Sequence, residues 1–298
     1  MNKAAKLLAA ALTATMLLSA CSAESGQSNP ASEDDSGYGN IKTIKSPEGF
    51  TGNTGDVSIQ SGDTCAVITI RDFGEITVKL FPEAAPEGVQ NFIDLANSGY
   101  YTDKEIHRVV ADFVFQGGIL NVDGTAAQEP EFDTEYNTNM RHYYGALCYA
   151  NAGGVNGSQF YIVNKKKYDP PSGAELKSNV EYFEEQISLC EEALAAAVKE
   201  EDREYFEYQI ELYTTWNYSC KSQLRAYREL TEEMTDKYWE VGGTPYLDGA
   251  YTVFGQTVDG FDVIDAISAV EVEQQSYDDE ISHPIQPIII QSVEIFTA

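Results

Sequence analysis

Ile106-His107-Arg108-Val109-Val110-Ala111-Asp112-Phe113-Val114-Phe115-Gln116-Gly117-Gly118 is the stretch on which the reading of this chain turns. β-Branched and aromatic residues dominate it, which favours strands around 106–110 and 113–117. One arginine stands among the apolar residues, and an aromatic ring, a glutamine and a glycine pair follow it. Upstream, Cys65-Ala66-Val67-Ile68-Thr69-Ile70-Arg71 and Ile76-Thr77-Val78-Lys79-Leu80-Phe81 are β runs joined by Asp72-Phe73-Gly74-Glu75, a hairpin signal. Pro86 fits a first helical turn, with Val89, Phe92, Ile93 and Ala96 on one face and Gly99 as the stop. Further strands are expected at 145–150, 158–163 and 286–296, and a second short helix at Phe261 to Ile267. Many strands with two short helices suggest a closed antiparallel barrel capped at its ends.

Two more stretches narrow this. They are Tyr149-Ala150-Asn151-Ala152-Gly153-Gly154-Val155-Asn156-Gly157-Ser158-Gln159-Phe160-Tyr161 and Leu247-Asp248-Gly249-Ala250-Tyr251-Thr252-Val253-Phe254-Gly255. In this order the three stretches resemble the signatures of the cyclophilins, the peptidyl-prolyl cis-trans isomerases. The resemblance implies a mainly β fold with α: an eight-stranded antiparallel barrel with a helix over each opening. It also implies roles. Arg108 matches the family's catalytic arginine, Gln116 the glutamine that orients it, and Phe113 the phenylalanine at the pocket floor. Val114, Tyr161 and Leu247 complete an apolar slot, and Ala150 and Asn151 match the segment whose backbone pairs with substrate. There are departures: Val114 stands where methionine is frequent, Tyr161 where phenylalanine is, Tyr246 where tryptophan is, and Tyr251 where histidine is. They change the slot's rim and leave Arg108, Phe113 and Gln116 intact.

The chemistry asks little of the protein. Rotation about X-Pro is slow because the C–N bond has partial double-bond character, with a barrier of about 18–20 kcal/mol. A catalyst needs an apolar slot for the ring and a fixed donor that favours the twisted amide over the planar one. No cofactor is required. Competing chemistries lack their parts. No C-x-x-C or Cys/His spacing suggests a zinc site, and no Gly-Lys-Ser/Thr follows the glycine pairs. His107 reads as a barrel buttress, and His142 and His283 as isolated. Asp278-Asp279-Glu280 lacks calcium-loop order and reads as solvated.

Between the second and third signatures the family has a short loop, whereas this chain has a long insertion. Leu176, Val180, Phe183, Ile187, Cys190, Leu194 and Ala197 recur at helical spacing. After Glu200-Glu201-Asp202 the series resumes through Phe206, Ile210, Tyr213, Trp216, Cys220, Leu224, Tyr227, Leu230, Met234 and Tyr238. An antiparallel helical hairpin projecting from the barrel is expected, with Asp202 as the second N-cap. A turn near residue 201 puts Cys220 about eight residues past the partner of Cys190. That is roughly 12 Å, too far for a disulfide.

The ends carry an address. Lys3 and Lys6 precede an apolar run from Leu7 to Leu18, too short to span a bilayer. Leu18-Ser19-Ala20-Cys21 resembles a bacterial lipobox, which implies cleavage before Cys21 and lipidation of its thiol. The expected organisation is a leader at 1–20, a flexible tether at 21–60, barrel parts at 61–164 and 246–298, and the hairpin at 165–245. The expected protein is lipid-anchored outside the cytoplasmic membrane and acts on proline-containing exported polypeptides. A formal charge of −29 argues against nucleic acid as a partner, since phosphate binding needs clustered Lys and Arg. The alternative is a weakly active or inactive scaffold whose hairpin binds clients or envelope proteins; the hairpin's partner is not legible.

Overall fold

Period-two burial runs through the first two barrel strands: Ala66, Ile68 and Ile70 turn inward from one, and Ile76, Val78 and Leu80 from the next. The computed structural model describes residues 41–55, 57–121, 131–152, 154–276 and 279–298. The leader, Cys21 and the tether as far as residue 40 lie outside the described residues. Among the described residues, twelve strands and five α-helices follow in chain order. They are β1 (Ile41–Thr43), β2 (Thr64–Ile70), β3 (Gly74–Leu80), α1 (Pro86–Asn97), β4 (Lys104–Val110), β5 (Val114–Asn121), β6 (Phe132–Tyr136), β7 (Ala146–Ala152) and β8 (Val155–Val163). Then come α2 (Gly173–Ala196), α3 (Glu200–Arg228), α4 (Glu232–Val241), β9 (Val253–Asp259), α5 (Phe261–Ser268), β10 (Val272–Gln274), β11 (Ile281–Pro284) and β12 (Ile288–Thr297).

Eight strands close a barrel in the spatial order β8-β5-β4-β12-β2-β3-β9-β7, with β7 returning to β8. Every pair around it is antiparallel. Closure leaves no free sheet edge within the barrel itself. β6 adds to the end of β8, β1 lies parallel on β6, and β10 and β11 form a separate ribbon against β4. Phe92 of α1 and Val263, Ile264 and Ile267 of α5 enter the same core as the barrel strands. Burying each such side chain is worth about 1.5–3 kcal/mol.

The tether expected over 21–60 is corrected from residue 41 onward. Ile41 is buried in β1. Asn53 is wholly buried, donating to the Arg141 carbonyl (2.7 Å) and Gln256 Oε1 (3.1 Å) and accepting from the Arg141 amide (2.9 Å). Lys237 of α4 donates to the carbonyls of Asn53, Thr54 and Gly55. Hydrogen bonds and a few apolar anchors, Ile41 beside Tyr136 and Phe50 edge-on to Phe81, together fix the segment, whose mostly polar composition resembled that of a free linker.

The insertion is a hairpin with an added helix. Ser172 caps α2 by accepting from the Glu175 amide (3.2 Å), and the turn falls at 197–199. Lys199, not Asp202, is the N-cap of α3; Asp202 lies in the first turn, where its charge suits the helix dipole. The apolar series past Tyr227 is broken because the Thr231 hydroxyl accepts from the Met234 amide (3.2 Å) and starts α4. Phe183 meets Tyr213 and Trp216, and Lys221 pairs with Glu184, an antiparallel register that sets Cys190 well short of Cys220. Both are free thiols, as are Cys65 and Cys148. The hairpin does not simply project. Cys220, Ser222, Gln223 and Ala226 are buried, and Gly249, at φ 82°, abuts the Ser222 carbonyl so closely that a Cβ would sit 2.4 Å from it.

Candidate active site

Antiparallel pairing places Arg108 of β4 directly opposite Gln116 of β5, so their side chains share a face. The intervening turn uses Asp112 at φ 56°, a left-handed conformation that Asp tolerates. Arg108 Nη1 donates to Gln116 Oε1 (3.4 Å), and Gln116 Nε2 donates to Gln159 Oε1 of β8. The guanidinium carbon lies 5.7 Å from the centre of the Phe113 ring, within cation–π reach. Arg108, Gln116 and Phe113 are therefore brought together.

Glu280 is a correction. Its acidic neighbours suggested a solvated cluster, yet both its oxygens close on one edge of Arg108, accepting from Nε (2.6 Å) and Nη2 (2.7 Å). Ser282 also donates to its carboxylate (2.6 Å). Burial alone would raise the Glu280 carboxyl; the hydrogen bonds and charge of Arg108, with Ser282, overcome that and hold it below the usual carboxylate range. His107, next to Arg108, is buried with its proton affinity pushed down to about 4, by burial first and by the Arg108 charge second.

The expected slot residues also gather. Val114, Tyr161 and Leu247 are buried in one cluster, with Phe113, Ala150, Tyr246 and Tyr251 packed on it. Phe113 and Tyr246 stack with centroids 6.0 Å apart and planes 19° apart. A 3-10 turn over Pro245–Leu247 supplies Tyr246 and Leu247. The ladder between β7 and β8 slips between Tyr149 and Asn151, so Ala150 falls in an irregularity rather than a regular pair. The Asn151 side chain turns to the scaffold, donating to the Ala250 carbonyl (2.8 Å) and Thr134 Oγ1 (3.2 Å), and the residue stands opposite Asn156 of β8.

His142 is not isolated. Its Nδ1 lies 2.8 Å from Asp248 Oδ1, and its Nε2 lies 2.8 Å from the Tyr161 hydroxyl. A carboxylate only accepts, so Nδ1 carries a proton; in the neutral ring Nε2 then accepts from Tyr161. Asp248 further accepts from the His142 amide (2.9 Å), Arg141 Nη1 (3.4 Å) and the Tyr238 hydroxyl of α4 (2.8 Å). A phenylalanine at 161 would need none of this; the tyrosine's buried hydroxyl does. The Cys148 thiol, in contact with Tyr161, is pushed well above its usual range by burial and is no nucleophile. What remains chemically is one oriented cation beside an apolar surface. Gln159 and Glu280 were missed as partners. Gln159 lay inside a quoted signature, whereas Glu280 carried no local signal.

Comparison with known proteins follows the same lines. The family model for cyclophilin-type peptidyl-prolyl cis-trans isomerases matches residues 65–295. A provisionally named peptidyl-prolyl cis-trans isomerase of Staphylococcus aureus (strain USA300) is 30% identical over 241 residues, 80% of this chain and 94% of that protein. A Staphylococcus saprophyticus protein of the same name is 30% identical over 240 residues, 79% of this chain and 93% of that protein. The crystal structure of a cyclophilin-type isomerase from Cryptosporidium parvum superposes with a TM-score of 0.45 at 18% identity, over 79% of this chain and 99% of that one.

Proposed function

We propose, for a chain that belongs to the cyclophilin-type peptidyl-prolyl cis-trans isomerases, that Arg108 is the donor that lowers the barrier to X-Pro rotation. The family match covers most of the chain and establishes the class of enzyme. The observation that carries the assignment is the guanidinium poised over Phe113 with Gln116 beneath one edge. Phe113, Val114, Tyr161 and Leu247 hold the proline ring, with Tyr246 and Tyr251 at the rim. The main chain at Ala150 and Asn151 pairs with the residue before proline. As the amide twists it loses conjugation, its nitrogen becomes pyramidal and basic, and a donor fixed beside it favours that state over the planar one. Arginine suits the task because its charge does not titrate and its fork is rigid.

The setting follows from the N-terminal sequence: lipidation at Cys21, the outer face of the cytoplasmic membrane, and exported chains as clients. Exposed Tyr182, Leu189, Tyr205 and Tyr208 on α2 and α3 favour a second role for the hairpin, contact with those clients. The test of the first reading is a proline-peptide exchange assay on wild type and Arg108→Ala. Loss of one preorganised donor of this kind costs about 10²–10³-fold in rate. The far-ultraviolet circular dichroism should be unchanged. An Arg108→Ala rate equal to wild type rejects the assignment.

A further inference from the structure

We propose that Glu280 is a positioning residue for the isomerase reaction, fixing the Arg108 guanidinium so that its remaining N–H groups face the proline slot. The inference rests on the Arg108 reading above and adds what directs that donor. An arginine has five N–H donors on a rigid fork but a long, rotatable stem. Gln116 alone does little to restrain it, holding one nitrogen at 3.4 Å. Glu280 takes the Nε and Nη2 edge at 2.6 and 2.7 Å, the bidentate geometry that fixes both the plane and the direction of the fork. The opposite edge, with Nη1, then faces Gln116 and the Phe113 side.

The carboxylate is itself anchored to the strand that carries Arg108. Gln275, after β10, donates its amide N–H to the Glu280 carbonyl (2.8 Å) and its side-chain N–H to the His107 carbonyl (3.0 Å). It also donates to the Ser282 hydroxyl (2.9 Å), which donates to Glu280 Oε2. The β10–β11 ribbon is thus tied to the residue beside Arg108, and Glu280 cannot follow the guanidinium if it swings away. An aspartate would fall short by one methylene and lose the two-point grip. A bare salt bridge would not need this support.

Glu280→Gln preserves shape and one acceptor but removes the charge and the two-point carboxylate. The expected result in the proline-peptide assay is a fall in kcat of at least about fivefold with KM within about twofold, because a misdirected donor weakens only the transition state. A second measurement needs no mutant activity. In 15N-labelled wild type the Arg108 Nε–H resonance, assigned with Arg108→Lys, should be slow to exchange with water and shifted downfield, and Glu280→Gln should abolish both. An unchanged or increased kcat in Glu280→Gln, a loss confined to KM, or a fast-exchanging Nε–H in wild type overturns the inference. If Arg108→Ala keeps full activity, the donor assignment fails instead, which separates the two outcomes.

Discussion

Replacing Asp248 by asparagine tests whether the insertion and the barrel are one folding unit. Asp248 is 1% exposed and receives four donors, from Arg141, the His142 amide, the His142 ring and Tyr238. The Arg141 side chain is fully buried, and its Nε has no hydrogen-bond partner among the described residues. Asparagine keeps the shape but loses the charge and turns an N–H₂ toward groups that themselves donate. Breaking a buried ion pair by removing one partner costs roughly 3–5 kcal/mol. Asparagine retains one acceptor, so the lower end, about 3 kcal/mol, is expected. For a domain of this size 1 kcal/mol shifts Tm by about 2–4 °C, which gives a fall of roughly 6–12 °C. Thermal unfolding should be followed by two probes. Both tryptophans, Trp216 and Trp239, lie in the insertion, so their fluorescence reports on α3 and α4, while circular dichroism weights the whole chain. The two curves should shift together, because Asp248 ties Tyr238 of α4 to Tyr161 of the slot through His142. A Tm within about 2 °C of wild type, or a fluorescence transition that moves without the other, would refute the reasoning.

Two further outcomes follow from the same groups. Tyr161→Phe restores the side chain frequent in the family yet leaves the His142 Nε2 without its 2.8 Å partner; stability should fall by about 1–3 kcal/mol in urea unfolding, and a neutral or stabilising result would exclude the hydrogen bond. His107 is held to about 4 from an ordinary 6.5, so the unfolded chain binds the extra proton first; its contribution is full above pH 6.5 and is lost as pH falls toward 4, by up to roughly 3 kcal/mol, and His107→Asn should flatten that slope in midpoint-against-pH measurements.

The barrel and the juxtaposition at the centre of the candidate site were legible because their signals are local. Arg108, Phe113 and Gln116 lie within one hairpin, and strand periodicity does not depend on distant contacts. Helix phasing in 176–227 was legible for the same reason. What stayed hidden depends on chain segments far apart. Glu280 reaches Arg108 across 172 residues, and Asp248 reaches His142 across 106. In sequence Glu280 was an acid among acids, and His142 a lone histidine beside no obvious partner. Residues 41–55 were misread because their apolar anchors, Ile41 and Phe50, are few and polar groups such as Asn53 supply much of the rest. The break before α4 was missed because the apolar spacing continues through it, and only the Thr231 cap interrupts the helix.

The place of β12 in the barrel bears on the order in which the chain can fold as it is made. β12 lies between β4 and β2, pairing Ile288 with Ile106 on one side and Thr297 with Thr64 on the other. Until residues 288–297 are free to join the sheet, β2 and β4 each present an open edge and the cylinder has a slot along its length. The nascent chain therefore cannot complete its fold from the N-terminus forward. Ring closure waits for the last strand, and a chain paused before it would be both unfinished and adhesive.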